Sequence, residues 1–334
     1  MILNFNPTKK SQLMIRCIKI ILLLFFNTIY LFSQIDKGNP DHFLDSSKHW
    51  KYGGILTLNG QQVSLTNWFA GGQNSISGGA LTNLFIDYKK GNTSWENNFE
   101  LAYGVVRQGD NKEWWKNDDR IQLTSKLGKP AFNNWHYSCL IDFKTQFAAG
   151  FNYPNDSVLI SNFLAPGFGL VSLGMDYKPS DDFSLYLAPA SLRFTIVNDQ
   201  KLADEGAFGV TRAIKQLDTL QNLIVIQKGK KSREEIGGYL KFTYRRVVME
   251  NVDFSTTLEL FSNYLVTPQN IDVNWTTLTT MKVNKHISAN FSTHLIYDDD
   301  IDISEDKNQD GITDFKGPRI QFKQVLAVGF NYRF

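Results

Sequence analysis

After residue 50, apolar and polar side chains alternate with a period of two, over runs that are unusually long for β-strands. In the final run, one face carries the apolar series Ile320, Phe322, Leu326, Val328, Phe330, Tyr332 and Phe334. The opposite face carries Arg319, Gln321, Lys323, Asn331 and Arg333. Similar runs occur at residues 95–108, 135–152, 252–260 and 271–282. A period of two indicates strands with one apolar and one polar face.

The length of these runs distinguishes two kinds of β-protein. Strands of a soluble sandwich usually have about 5–6 residues, whereas a tilted strand needs about 9–11 residues to cross a bilayer. The runs exceed the longer figure, and aromatic residues cluster toward their ends, as in the girdles of membrane barrels. Because backbone polar groups must be paired in hydrocarbon, such strands have to close into a barrel. Residues 51–334 are therefore predicted to form an all-β, transmembrane, up-and-down antiparallel β-barrel.

Short and long connections alternate between the predicted strands, as periplasmic turns and extracellular loops do in outer-membrane barrels. Short ones fall near residues 90–92, 130–134, 179–181, 249–251 and 284–286, and long ones near 69–79, 109–117, 153–166, 198–235, 266–270 and 299–317. The count is about twelve strands, with both ends of the barrel in the periplasm. A further hairpin around Leu220–Gln227 would make fourteen. Pro189 coincides with a shift in the apolar phase, which predicts a bulge in the seventh strand.

Residues 1–33 are predicted to be a secretory signal peptide, and residues 34–50 a periplasmic segment. A basic stretch is followed by the short apolar run Ile20–Phe32 and by Ser33, the order typical of such signals. The alternative is an uncleaved anchor helix. Removing this leader takes four positive charges away, so the formal net charge falls from +2 to −2. That balance argues against nucleic-acid binding, which needs basic residues to neutralise phosphates.

Export together with membrane-crossing strands predicts the outer membrane, in contact with its lipid and lipopolysaccharide. The last strand ends in the aromatic residue Phe334. Such an ending resembles the C-terminal signal that the barrel-assembly machinery reads, so this machinery is an expected partner. A protein of a larger envelope complex is a second candidate partner. Cys17 lies in the leader and leaves Cys139 alone, which excludes a disulfide scaffold.

The chain resembles a family of Gram-negative outer-membrane barrels that is catalogued only as a domain of unknown function. The residues that carry the resemblance lie at 67–74 (NWFAGGQN), 118–120 (DDR), 144–147 (KTQF), 163–166 (FLAP), 202–209 (LADEGAFG), 260–264 (LFSNY), 268–273 (PQNIDV) and 297–301 (YDDDI). The resemblance implies an outer-membrane barrel and brings no catalytic residues. Most of these stretches lie in or beside predicted extracellular loops, where ligands and partners bind.

The loop at residues 298–317 contains the sharpest chemical motif. Oxygen-bearing residues alternate before a glycine, an arrangement that suits a calcium ion. The candidate ligands are Asp306, Asn308, Asp310, Asp314 and the backbone carbonyl of Ile312. An EF-hand would need a glutamate at its twelfth position, where Gly317 stands. The loop is closer to the shorter calcium loops of thrombospondin or dockerin repeats. The alternative is a hydrated acidic loop with an Asp-Gly turn.

A second candidate site is the pair His136 and Ser138, which lie two residues apart and hence on one strand face. With Asp142 on the same face they suggest a lipid hydrolase of the serine type. However, this face also carries Lys144 and Gln146, so it is predicted to point into the barrel, whereas a lipid substrate lies outside. The alternative is an ordinary pair of interior polar residues.

The predicted interior carries charges of both signs. The acids are Glu96, Glu100, Asp142, Asp176, Asp253, Glu259 and Asp272, and the bases are Arg120, Lys126, Lys144, Arg193, Lys241, Arg245, Lys282, Lys323 and Arg333. They indicate either a charged pore or an interior filled by salt bridges, and the balance of signs favours filling. The expected function is non-enzymatic, either a narrow porin-like solute channel or a scaffold in an envelope complex. The alternatives are the lipid hydrolase and a surface receptor for an extracellular ligand.

Overall fold

The computed structural model describes residues 49–64, 73–109, 113–153, 155–217, 223–305 and 314–334. In chain order its strands are β1 (Trp50–Val63), β2 (Ser75–Lys90), β3 (Thr93–Gln108), β4 (Trp115–Pro130), β5 (Trp135–Thr145), β6 (Gly150–Asn152), β7 (Asn155–Ser161), β8 (Gly167–Ser180), β9 (Phe183–Ile196), β10 (Ile214–Leu217), β11 (Leu223–Gln227), β12 (Ser232–Met249), β13 (Val252–Asn263), β14 (Ile271–Lys282), β15 (Ile287–Tyr297), β16 (Asp302–Glu305), β17 (Phe315–Pro318) and β18 (Gln321–Arg333). A helix α1 (Gln200–Glu205) and a 3-10 turn (Ala207–Gly209) lie between β9 and β10. No helix in these ranges is long and apolar enough to cross a membrane.

Twelve of the described strands close into one antiparallel barrel, in the ring order β1-β2-β3-β4-β5-β8-β9-β12-β13-β14-β15-β18. The first and last strands seal the ring, with Ile55 opposite Arg333 and Gly60 opposite Val328. The predicted transmembrane antiparallel barrel of twelve strands is confirmed. Its strands are 11 to 18 residues long, as membrane crossing requires.

The fourteen-strand alternative is wrong. The suspected hairpin exists as β10 and β11, but these two strands pair only with each other. Two further ribbons, β6–β7 and β16–β17, also stand apart from the ring. The strands β10 and β11 have only four and five residues, too few to cross a bilayer. They therefore belong to a loop.

The two ends of the barrel differ. Trp50 and Phe334 lie at the end where all the connections are short, which we call the turn end. The tight connections there use Gly91 and Asn251 with positive φ of 53° and 61°, a conformation that glycine and asparagine tolerate best. The long connections share the opposite end, which we call the loop end.

The outward face of the wall is apolar and is rimmed by aromatic residues. At the turn end, the rings of Trp50 and Tyr88 lie 4.8 Å apart and those of Trp135 and Tyr177 lie 5.0 Å apart. Exposed aromatic residues near the loop end include Tyr103, Phe147, Tyr264 and Phe322. An apolar band between two aromatic girdles is the exterior of a membrane-spanning barrel.

The predicted bulge in the seventh barrel strand, β9, is confirmed. Between Ala188 and Ser191 the strand has one residue more than either neighbour, because the register shifts by one against both β8 and β12. Pro189, which cannot donate a ladder hydrogen bond, lies in this extra segment. The bulge returns Leu187 and Leu192 to the same outward face, where both are exposed.

The expected continuation of alternation from residue 135 to residue 152 is wrong beyond Thr145, where β5 ends. The carboxylate of Asp119 accepts hydrogen bonds from the backbone N–H groups of Phe147 (2.7 Å) and Ala148 (2.9 Å). The side chain of Gln146 donates to the carbonyls of Asn162 and Ala165. These contacts turn the backbone out of the sheet.

Candidate functional site: the barrel interior

Most of the charged side chains that were predicted to face the interior form ion pairs there. The pairs are Glu96–Lys126, Glu100–Arg120, Lys126–Asp176, Lys144–Glu259, Arg193–Asp272, Lys241–Glu259 and Lys282–Asp253. Charges withdrawn from water need such partners. The prediction of a salt-bridged interior is therefore confirmed for these residues.

One of these pairs spans the lumen. The Nζ of Lys144 on β5 lies 3.1 Å from the carboxylate of Glu259 on β13. These strands are four steps apart around the ring. Glu259 also binds Lys241 at 3.1 Å and accepts a hydrogen bond from the amide of Asn274 at 2.7 Å. The bridge divides the lumen into two sides.

An apolar cluster fills one side of the lumen. Its buried members are Leu140, Leu170, Tyr186, Ala188, Tyr239 and Phe261, which we call the interior core. The hydroxyl of Tyr186 donates to the carbonyl of Ser172 at 3.0 Å. The guanidinium of Arg193 lies 4.2 Å from the centre of the Phe261 ring. Strands β5, β8, β9, β12 and β13 thus enclose a packed interior.

Charged groups cover this filled side near the turn end. Lys126 contacts Asp176 at 2.8 Å and Glu96 at 3.3 Å, and Lys178 contacts Glu96 at 2.6 Å. The hydroxyl of Ser184 donates to Asp176 at 2.6 Å. All of these groups have a partner of opposite charge or a hydrogen-bond donor, so the network holds the strands together instead of offering a free charge.

The long connection between β9 and β12 covers the filled side at the loop end. Asp199 caps helix α1 by accepting hydrogen bonds from the N–H groups of Lys201 and Leu202. The helix packs in a small apolar cluster formed by Ala165, Val197, Leu202, Ala203 and Val210. The ring of Phe208 meets that of Phe168 edge-on, with 6.4 Å between centroids. Arg233 on β12 donates to the carbonyl of Gly209 in this cap at 3.3 Å and pairs at 3.1 Å with Asp300, which lies in the loop after β15.

The opposite wall of the lumen is lined by small or uncharged side chains, and we call it the open wall. The ten inward residues that define it are Asn59, Gly79, Leu81, Ala102, Leu278, Asn290, Ser292, Val325, Ala327 and Gly329. Leu278 and Val325 face inward, yet they are 39% and 38% exposed. Accessible space therefore lies in front of this wall.

A second ion pair crosses the loop end of the open wall. Asp118 on β4 lies 3.1 Å from the Nζ of Lys323 on β18, and these strands are also four steps apart. Both side chains are nearly half exposed. Glu100 and Arg120 pair beneath them. This end of the open side is narrowed by charges that neutralise one another.

The residues of the suggested hydrolase lie on the inward face of β5, as expected. Asp142 accepts hydrogen bonds from Thr124 (2.6 Å) and Gln122 (2.9 Å). Within the described residues, no hydrogen bond joins His136 to Ser138 or to Asp142, and Nδ1 of His136 is buried without a partner. A serine nucleophile needs a base within hydrogen-bond distance. The hydrolase stays a prediction that lacks this contact.

The described residues do not include four of the suggested calcium ligands: Asp306, Asn308, Asp310 and Ile312. The predicted leader also lies outside them. Asp314 is described and directly precedes β17. Among the described residues, no group of three or more His, Cys, Asp or Glu side chains is arranged to hold a metal ion. Calcium binding by the loop at residues 298–317 stays a prediction.

The interior core was missed from the sequence, although a signal exists. Leu140 stands between Ser138 and Asp142 on an otherwise polar face, and Phe261 stands between Glu259 and Asn263. Such apolar residues on the inward face break the alternation. Their positions do not show which of them meet, because that depends on the ring order of distant strands.

Two protein-family models match separate parts of the chain. One, described as a protein of unknown function (DUF3078), matches residues 60–151. The other, described as a protein of unknown function, DUF481, matches residues 192–315. The expected resemblance to a family known only as a domain of unknown function is thus confirmed. A search of curated proteins found no match.

Several solved barrel structures are similar to the chain. An outer-membrane channel from Pseudomonas putida F1 is 11% identical, with a TM-score of 0.39, and 90% of this chain and 100% of that chain are covered. The translocator domain of the autotransporter NalP from Neisseria meningitidis is 11% identical, with a TM-score of 0.33 and coverages of 93% and 95%. The NanC porin is 8% identical, with a TM-score of 0.32 and coverages of 83% and 98%.

Proposed function

We propose that the chain is an outer-membrane channel with a narrow, off-centre passage for small polar solutes. The observation that carries this proposal is the exposure of Leu278 and Val325, which face the lumen on a wall of small residues. The interior core and the Lys144–Glu259 bridge confine the passage to that side. The membrane-spanning exterior and the predicted export signal support the location, with the loop end outside the cell.

The lining determines what the passage selects. The ten residues that define the open wall carry no charge, and the nearby pairs Glu100–Arg120 and Asp118–Lys323 are each neutral in sum. A cation and an anion therefore meet similar electrostatic potentials, and size limits entry more than charge. Side chains such as Asn290 and Ser292 supply hydrogen bonds to a polar solute in place of water.

Planar bilayers test this proposal directly. The purified chain, shown by heat-modifiable electrophoretic mobility to be folded, should give small discrete conductance steps. The reversal potential in a potassium chloride gradient should lie near zero, because neither ion is favoured. In liposome-swelling assays, uptake of neutral sugars should fall steeply with solute size. A flat current trace from folded protein would contradict the channel.

A scaffold role is favoured by a different observation. The ribbon β10–β11 stands apart from the barrel at the loop end, and its apolar side chains are exposed: Ile214, Leu217, Leu223, Ile224, Val225 and Ile226. Exposed apolar ribbons are contact sites for other proteins. Replacing Leu223 and Val225 by serine should release a co-purified partner while leaving conductance unchanged. If the same protein co-purifies in equal amount with the original chain and with the serine variant, the result would argue against this role.

A further inference from the structure

A row of polar side chains crosses the outward, apolar face of four adjacent strands. The register places Thr256 on β13 opposite Thr277 on β14, Thr277 opposite Thr293 on β15, and Thr293 opposite Gln324 on β18. Residues two positions away along three of these strands share the same face and are large and apolar: Phe254, Leu258, Phe291, Leu295, Phe322 and Leu326. The row therefore lies within the apolar band and not at its rim.

The three threonines satisfy their hydroxyl groups within the barrel. Thr277 and Thr293 share a hydrogen bond of 2.7 Å. Thr256 accepts one from the indole N–H of Trp275 at 2.8 Å and donates to the carbonyl of Thr276 at 3.2 Å. Gln324 is different, because it is exposed and its carboxamide has no hydrogen-bond partner in the described part of the chain. Hydrocarbon offers none either, so this group is unfavourable in a lipid-facing position.

A second cluster of polar side chains lies on the outward face of β3 and β4. Its side chains form hydrogen bonds with one another and with the backbone, so they need no second protein to supply a donor or acceptor. There Trp95 donates to Ser125 at 2.9 Å, Ser125 donates to Asn97 at 2.8 Å, and Asn97 donates to the carbonyl of Ile86 at 2.9 Å. The outward face formed by β13, β14, β15 and β18, which we call the threonine face, differs from that cluster because it carries the unpaired carboxamide of Gln324.

We propose that the threonine face is the contact surface between two copies of this chain within the membrane, with their Gln324 carboxamides hydrogen-bonded across a two-fold axis. A carboxamide carries both a donor and an acceptor, so two copies related by a two-fold axis can exchange two hydrogen bonds. Glutamine and threonine side chains make such contacts between membrane-spanning helices, and the same hydrogen bonds are open to two barrel walls. A lipid acyl chain offers no donor or acceptor, so it leaves the group unpaired.

Cysteine cross-linking in membranes tests this contact. Leu326→Cys, two residues from Gln324 on the same outward face, is introduced into a chain that keeps Gln324 and in which Cys17 and Cys139 are replaced. The matched control is the chain with its native Cys139, which faces outward on β5, on the far side of the barrel. Oxidation should give at least ten times more disulfide-linked dimer from position 326 than from position 139. Equal yields from both positions, or cross-links from position 326 only to another protein, would overturn the proposal.

A second variant tests the same contact without depending on the reactivity of an introduced cysteine. Gln324→Leu should keep heat-modifiable mobility, because leucine suits the lipid-facing site, and should shift the detergent-solubilised chain from dimer to monomer in light-scattering measurements. Equal dimer fractions for the variant and the original chain would also overturn the proposal. Neither readout depends on conductance, so this inference and the proposed channel can fail separately.

Discussion

Glu259 connects residues of three other strands inside the barrel. Its carboxylate holds Lys144 and Lys241 at 3.1 Å each and accepts from Asn274. The sequence predicts that these residues face inward, because alternation assigns the face. It does not predict that they meet, since they come from strands far apart in the chain.

Glu259→Gln should destabilise the barrel by about 3–5 kcal/mol, because it leaves Lys144 and Lys241 without their shared counter-charge in a buried site. The measurement is urea unfolding in lipid vesicles, followed by tryptophan fluorescence. The control is Lys282→Gln, which breaks a pair whose side chains are about one-third exposed and should cost about 0–1 kcal/mol. Equal losses in the two variants would contradict the account.

Asp298, in the loop just after β15, gives a pH dependence. Burial raises the pKa of its carboxyl above the ordinary value of 3.8, and Arg193, 3.9 Å away, offsets only part of this. A raised pKa in the folded chain means that ionised Asp298 costs stability at neutral pH. That cost disappears as the pH falls through the raised pKa toward 3.8.

Asp298→Asn should therefore be more stable than the original chain at pH 7, and the difference should shrink as the pH approaches 4. The amide oxygen of asparagine can still accept the hydrogen bond from the Asp300 N–H. Unfolding titrations of both chains across this pH range measure the difference. An original chain that is the more stable of the two at pH 7 would contradict the assignment.

At the scale of the strand, local signals were predictable and contacts between strands were not. Pro189 and the change of apolar phase predicted the bulge in β9, because both are properties of one segment. The end of β5 at Thr145 depends on the carboxylate of Asp119, which comes from β4. The period of the sequence carries no information about that contact.

Gly174→Ala should test how tightly the bulge fits against β8. A Cβ at Gly174 would lie 2.1 Å from the carbonyl oxygen of Leu187 and 2.6 Å from the Cα of Ala188, so the backbone must move. The expected loss is about 1–3 kcal/mol in the same unfolding assay. Gly60→Ala is the matched control, because nothing lies within 4 Å of its added Cβ. Similar stabilities for both variants would show that β8 and β9 adapt freely.

At the scale of the whole molecule, the barrel is divided lengthwise into a filled side and an open wall. The alternating pattern predicted the ring of strands, the membrane exterior and the charged interior. The division itself arises from the ring order, which brings Leu140, Tyr186 and Phe261 together and leaves Gly79, Ala327 and Gly329 on the other side. This division could therefore not be predicted from the sequence alone.

Single-channel recording of Ala327→Trp tests the off-centre passage most directly. Ala327 faces inward on the open wall, so an indole there should reduce the unitary conductance several-fold. The control is Ala80→Trp, on the outward face of β2, which should conduct like the original chain. Folding of each variant is checked by heat-modifiable mobility. Unchanged conductance in folded Ala327→Trp would contradict a passage along this wall.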